Sequence, residues 1–323
     1  MKRSKPIACL SFDADNQWSY MKTHGDPGWE TFPSYLDVVI PRVLKVLKDQ
    51  NLTITFFIVG QDAALEKNRN AIQSIATAGH EIGNHSYDHE PWLHTYNLQQ
   101  IRDEIAKASW SIEQITGSVP IGFRGPGYTF SNDLLLVLAE SGYLYDASTL
   151  PTFLGPLARA YYFMTSKLSP SQIAERKKLF GTLSDGFRPN RPHYQKTATG
   201  KIIEIPVTTL PIFRIPFHVS YILYLSSFSP WMGLLYFRVA LWLCKLTGTR
   251  PSLLLHPLDF LDEEEVPELS FFPAMKIPRE KKMKIVREVI RLLTKEYNVI
   301  PLKASAIEIV EASKLTVTNA YIQ

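Results

Sequence analysis

Cysteine is nearly absent from the 323 residues: Cys9 and Cys244 stand alone, with no CxxC and no paired spacing. That excludes a disulfide framework and a thiolate zinc centre. Charge of one sign is also scarce. Thirty-five Lys and Arg face 31 Asp and Glu, a surplus of four, too small to argue for nucleic acid as the partner. No uninterrupted apolar run has membrane-crossing length, and no repeat recurs at solenoid spacing. The apolar stretch Ile7–Phe12 behind Lys2, Arg3 and Lys5 is too short for a signal-peptide core and ends in acids. The expectation is a cytoplasmic chain, long enough for one large α/β barrel or two ordinary domains.

What is present alternates between strand and helix. Ile7–Phe12 stops at Asp13, as a buried strand delivering acids at its C-terminal end would. An amphipathic helix runs from about Ser34 to Gln50, and Thr53–Val59 is a β-branched and aromatic strand closed by Gly60. The pattern then predicts helices over 63–78, 98–116 and 132–140, and strands over 81–84, 121–124 and 143–146. From Pro151 to about Gly200 the rhythm breaks into a Pro-, Arg- and Lys-rich excursion of loops with a hairpin, able to close over a site as a lid. Strands are expected again over 202–207, 252–255 and 299–302, with a charged amphipathic helix over 279–296. Repeated β-then-α units favour a parallel sheet or barrel, here one domain over 1–323 with elaborations at about 151–200 and 207–248.

Several short strings carry chemistry. Asp13-Ala14-Asp15 puts two carboxylates at the end of the first strand, where barrel active sites lie; alone, the pair would read as a turn. His85-Ser86-Tyr87-Asp88-His89 spaces two imidazoles four apart, so both can aim at one ion; alone, they would as readily be loop histidines. His80-Glu81-Ile82-Gly83-Asn84-His85 looks like a zincin motif, but its second His is one residue too far along for a shared helical face. Arg124-Gly125-Pro126-Gly127-Tyr128 follows a strand, and its glycines permit close approach of backbone donors to an oxyanion. Leu253-Leu254-Leu255-His256-Pro257 ends another strand with an imidazole able to protonate a leaving amine.

The order of these strings, together with Thr55–Gly60 and Gly79–His85, resembles the polysaccharide deacetylase (NodB-homology) family, over about Ile7–Leu302. The resemblance implies a distorted (β/α) barrel that hydrolyses the amide of an N-acylated amino sugar with a divalent metal: zinc first, with cobalt, nickel, iron or manganese open. It implies Asp15, His85 and His89 as metal ligands, Asp13 as general base on metal-bound water and His256 as general acid. It also implies Arg124 orienting Asp13, the Gly127 amide in the oxyanion site, and Asp146 as the carboxylate that tunes the acid histidine. Tyr128 and Trp18 are further substrate-facing candidates. The family's common opening is Phe-Asp-Asp-Gly, whereas Ala14 intervenes here, as in an Asp-x-Asp branch whose members include cyclic-ureide hydrolases. Ring opening of that kind is therefore one alternative, and a non-catalytic carbohydrate-binding protein is another; the presence of every candidate ligand, base and acid argues against the latter.

The stretch Val207–Gly248 is rich in Leu, Ile, Phe, Tyr and Trp but broken by Pro211, Pro216, Pro230 and Arg238. It fits buried helices, an insertion over the barrel, a subunit interface of a homo-oligomer, or a hairpin docked on the inner face of a membrane with Trp231, Tyr236 and Trp242 at headgroup depth. The last would suit a lipid-linked sugar, a class also suggested by Glu204–Pro211, which resembles a segment of the deformylase branch that acts on aminoarabinose-bearing polyprenyl phosphate.

Overall fold

The computed structural model describes residues 5–169, 172–173, 176, 179 and 181–320. Its centre is β1 (Ile7–Asp13), buried on both faces after its first residue, as its unbroken apolar run requires of a parallel strand. β1 pairs in parallel with β2 (Thr55–Ile58), which continues through β3 (Glu81–Asn84), β4 (Gly122–Phe123), β5 (Tyr145–Asp146) and β7 (Gly200–Glu204). On its other edge β1 pairs with β8 (Ser252–Leu255), while β9 (Asn298–Ile300) pairs with its first residues. The hairpin expected before residue 200 is present as β6 (His193–Thr197) antiparallel to β7.

No ladder joins β7 to β8. The backbone beyond β7 bridges the two sides instead: Ile205 N donates to Asp146 O at 2.8 Å, Val207 N to Thr149 O at 2.9 Å and Thr208 N to Ser252 O at 3.0 Å. The sheet thus closes as a distorted barrel, with the C-terminal ends of β1, β3, β4 and β8 gathered on one face.

The outer helices are α1 (Gln17–His24), α2 (Leu36–Asp49), α3 (Gly60–Ala64), α4 (Arg69–Thr77), α5 (Leu98–Thr116), α6 (Asn132–Glu140), α7 (Gly155–Thr165), α8 (Val219–Phe228), α9 (Pro230–Thr247), α10 (Arg279–Glu296) and α11 (Leu302–Ala320). The helix expected over 63–78 is broken. Leu65 is extended (φ −89°, ψ 118°), and the buried Asn68 side chain bonds Asp62 O and Oδ1, so local side-chain bonding wins over helix continuation. α7 was not expected, and neither were α1 and α11, the first because its apolar residues lack helical periodicity.

The 207–248 stretch forms two helices that are neither wholly buried nor wholly exposed. α8 and α9 meet at Gly233, where a Cβ would sit 2.1 Å from Ser226 Oγ and 2.7 Å from Ile222 O, so only glycine allows this approach. One face of the pair, with Val219, Ile222, Phe237 and Cys244, joins the main core; each such large apolar side chain contributes about 1.5–3 kcal/mol. The other face meets solvent. No helix among the described residues is long and apolar enough to cross a membrane.

Candidate active site

Asp13 and Asp15 leave the end of β1 two residues apart and turn to different neighbours. Asp15 Oδ1 lies 3.0 Å from His85 Nε2 and 3.0 Å from His89 Nε2. Its Oδ2 accepts from Tyr20 OH at 2.9 Å, and its backbone carbonyl from Tyr35 OH at 2.7 Å. The histidine loop that reaches it is bent at Ser86 (φ 61°) and His89 (φ 51°). It is held there by Asn84 Oδ1 on Ser86 N and by Glu104 Oε2 on Tyr87 N and Asp88 N.

The three residues Asp15, His85 and His89 are all buried, and their ligand atoms lie within 4.8 Å of one another. His85 Nδ1–H donates to the Arg124 carbonyl at 2.6 Å, which leaves the Nε2 lone pair facing the Asp15 carboxylate. Two lone pairs 3.0 Å apart in a buried site repel unless a positive charge lies between them. Two imidazole nitrogens and a carboxylate oxygen are also a donor set suited to a divalent transition metal; the residues fit the ion that the sequence implies. Without it, burial opposes the charged form of Asp15, but His89 and His85 outweigh burial and hold the carboxyl well below its usual range. Burial wins at His89 and lowers it, whereas at His85 the charge of Asp13 and the Asp15 bond outweigh burial and raise it.

Asp13 faces the buried Arg124. Arg124 Nη1 donates to Asp13 Oδ1 and to Ser11 Oγ, both at 2.8 Å, while Nε donates to Ala147 O at 2.9 Å. The guanidinium rests over the Phe57 ring, 4.4 Å from its centroid. One residue therefore fixes both a histidine of the triad, through its carbonyl, and Asp13, through its side chain.

Asp13 Oδ2 points instead toward His256, with Nε2 at 4.0 Å. The other imidazole nitrogen, Nδ1, lies 3.1 Å from Ser220 Oγ, and Ser220 donates to Asp259 Oδ1 at 2.7 Å. Asp259 Oδ2 in turn accepts from His256 N at 2.8 Å. Asp259 is buried, and burial pushes its carboxyl pKa up against the lowering effects of His256 and Ser220.

This corrects the expectation for Asp146, which makes no bond to His256. Asp146 Oδ1 accepts from Ser148 Oγ at 2.5 Å, and Ser148 Oγ accepts from Gly125 N at 2.8 Å. Its Oδ2 and Glu204 Oε2 are both buried without a hydrogen-bond partner among the described residues, and the two buried carboxyls influence each other directly. Burial raises both groups, and the negative charge of Asp146 adds to the rise at Glu204. Folded-state values above the unfolded ones mean that the stability the pair lends is full below the ordinary carboxylate range and is lost as pH rises through the raised values. Glu204→Gln keeps the Oε1 that accepts from Thr149 N and replaces a titrating carboxyl by a neutral amide. Its melting temperature is expected to fall less than that of the wild type as pH rises above the ordinary carboxylate range; parallel slopes in a thermal scan would show that Glu204 is not raised by folding.

The remaining candidates divide. Gly127 (φ 57°) and Tyr128 (φ 62°) sit in a tight turn after β4, where a Cβ on Gly127 would meet Pro91 Cβ at 2.9 Å. Burial, followed by the nearby charge of Asp13, raises the Tyr128 hydroxyl, which places its ring beside the site. Trp18 does not face a ligand: it is 1% exposed and donates from Nε1 to Asp62 Oδ1 at 2.9 Å, helping to anchor the turn after Asp15. Sequence reasoning missed Ser220 and Asp259. The Asp three residues after His256 was a visible helix-capping signal; nothing local marks Ser220, which is 36 residues away.

Residues 5–145 match the family model for polysaccharide deacetylase. Over 114 residues the chain is 34% identical to a peptidoglycan deacetylase of Helicobacter pylori, covering 35% of this chain and 38% of that protein. Over 95 residues it is 38% identical to a peptidoglycan-N-acetylglucosamine deacetylase of Bacillus cereus, covering 29% of this chain and 34% of the relative. The chain thus spans well under half the length of these relatives. In fold it is similar to a Mycobacterium smegmatis structure assigned as a polysaccharide deacetylase (TM-score 0.63, 22% identity, 97% of this chain and 93% of that one). It is also similar in fold to the allantoinase Puue (TM-score 0.57, 18% identity, 95% and 91%). Asp13, Asp15, His85, His89 and Arg124 all lie within residues 5–145, the segment that matches the polysaccharide deacetylase model.

Proposed function

We propose that the protein hydrolyses the amide of an N-acylated amino sugar, releasing a carboxylic acid and the free amine. The observation that supports this most is the facing of Asp13 Oδ2 and His256 Nε2 across 4.0 Å, beside the Asp15–His85–His89 cluster. A divalent ion held by that cluster, zinc being the species its donors suit first, would supply Lewis acidity toward the acyl carbonyl and water. Asp13, fixed by Arg124 on one oxygen, takes the proton of the attacking water on the other. His256 delivers a proton to the departing nitrogen, and the turn at Gly127 offers backbone donors to the developing oxyanion. Ser220 accepts from His256 Nδ1–H and so holds the ring with Nε2 toward the scissile bond, with Asp259 behind it. Names of the relatives favour N-acetylated glycan units as substrates; the apolar face beside the site brings lipid-linked sugars into the same class.

Amine release by the metal-loaded chain from a panel of N-acetyl and N-formyl sugars tests this, with a cyclic ureide alongside. Turnover of the ureide alone would replace the reading by ring opening. Asp259→Asn and Ser220→Ala are expected to lower kcat about tenfold to a hundredfold with KM unchanged, because the acid is misoriented while the binding surface stays intact. The loss should shrink on an activated aryl ester, whose leaving group needs no proton. Equal losses on amide and ester would assign both residues to scaffolding alone.

A further inference from the structure

Exposed apolar surface is concentrated on one part of the chain. Of the nineteen large apolar side chains exposed among the described residues, fifteen lie between Leu157 and Leu246. On α9 they recur as Trp231, Leu235, Val239, Trp242 and Leu246, a stripe at helical spacing along the face turned from the core. α7 adds Leu157, Tyr161 and Met164 at the same spacing, and the 210–216 loop adds Ile212 and Phe213. These pieces adjoin one another. Thr152 Oγ1, just before α7, donates to the Arg214 carbonyl at 2.8 Å, the Tyr221 ring of α8 and the Tyr236 ring of α9 have centroids 6.0 Å apart, and Tyr236 OH donates to the Pro216 carbonyl at 2.9 Å. Exposed apolar side chains gathered on neighbouring elements in this way mark an interaction surface.

Charge is segregated with it. Residues 155–248 hold twelve Lys or Arg against three Asp or Glu, a surplus of nine. The rest of the chain holds 23 against 28, a deficit of five, so the positive balance of the whole chain resides in the stretch of sequence that supplies the apolar face. Within it, Arg238 and Lys245 border the α9 stripe and pair with Glu288 and Glu296 of α10. Arg214, beside Phe213, has a buried Nη1 without a partner among the described residues. A second copy of this chain would bring like charge against like charge. An anionic lipid surface meets both the apolar and the cationic demand.

We infer that α7, the 210–216 loop and the α8–α9 pair seat this chain on an anionic bilayer, with the candidate active site at the rim of the contact. Ser220, in the first turn of α8, touches His256, so the helix that lines the site is also part of the seated face. α9, at about 27 Å long, lies along the interface with its indoles at headgroup depth, and no helix among the described residues crosses. The catalytic reading enters only in what stands at the rim; the contact itself does not depend on it.

The test is flotation of the purified full chain with vesicles of phosphatidylcholine containing roughly a quarter phosphatidylglycerol, against pure phosphatidylcholine. The chain is expected to float with the anionic vesicles and to do so several-fold less with the neutral ones. Trp231→Ala with Trp242→Ala should cut the floated fraction by about tenfold without moving the melting temperature, since both side chains are exposed. Trp110→Ala, at an exposed indole on α5, should float as the wild type does. A wild-type chain that stays at the bottom of the gradient overturns the proposal, as does a double variant that floats undiminished. A dimer that the double variant abolishes, with no flotation, would overturn it in favour of a second copy. Because no turnover is read, failure of the deacylase reading would leave this result standing.

Discussion

Asp15→Asn will yield a folded protein that retains almost no divalent metal and turns over N-acyl sugars at about a thousandth of the wild-type rate or less. Asp15 contributes the oxygen that both Nε2 atoms face at 3.0 Å, and it carries the one negative charge in the triad. An amide in its place is a weak neutral ligand beside two neutral imidazoles, and the site loses the charge that offsets a dication's desolvation. His85→Ala should lose metal comparably, because the Arg124 carbonyl orients that ring in advance. Elemental analysis of wild type and both variants, after loading and gel filtration, decides the matter. Metal retained stoichiometrically in either variant would refute the ligand set. Fold retention is read separately from the melting transition, which for Asp15→Asn keeps the acceptor for Tyr20 OH.

Asp13→Asn should separate the base from the metal. Metal content is expected to stay near wild type while kcat falls about a hundredfold to ten-thousandfold. The concern is Arg124, a fully buried guanidinium whose carboxylate partner is removed; loss of one partner of a buried pair costs about 3–5 kcal/mol. Asn keeps an oxygen for Nη1, and Ser11 Oγ and Ala147 O remain, so the cost should fall below that range. If the variant binds metal and melts cooperatively yet releases amine at the wild-type rate, Asp13 is not the base. If it loses metal together with activity, the two carboxylates act as one site.

The parts of this architecture that sequence reasoning located are those in which one local pattern decides the structure. α5, α6, α10 and β8 begin and end where periodicity, Ser or Asn caps and a following Gly or Tyr put them. The histidine pair was legible because both imidazoles lie within five residues. Partnerships that bring distant segments together were not. Asp146 and Asp259 are both acids near the end of a strand, and only the path of α8 shows that Ser220 joins the second of them to His256. The burial of Trp18 depends on Asp62, itself placed by the break between α3 and α4. The apolar stretch 207–248 left several readings open because composition cannot tell which face of a helix finds a neighbour.

β1 carries both carboxylates, yet its partners β8 and β9 are the last two strands of the chain: Cys9 faces Ser252 on one edge and Ile300 on the other. During synthesis β1 emerges long before β8 and β9, and its pairing stays incomplete until residue 300 is free. At roughly 5–20 residues per second that interval is on the order of tens of seconds. An apolar strand with open edges is a template for wrong pairing, and contacts of such sequence separation form slowly. The demand on folding assistance thus centres on the strand that carries Asp13 and its late-arriving partners.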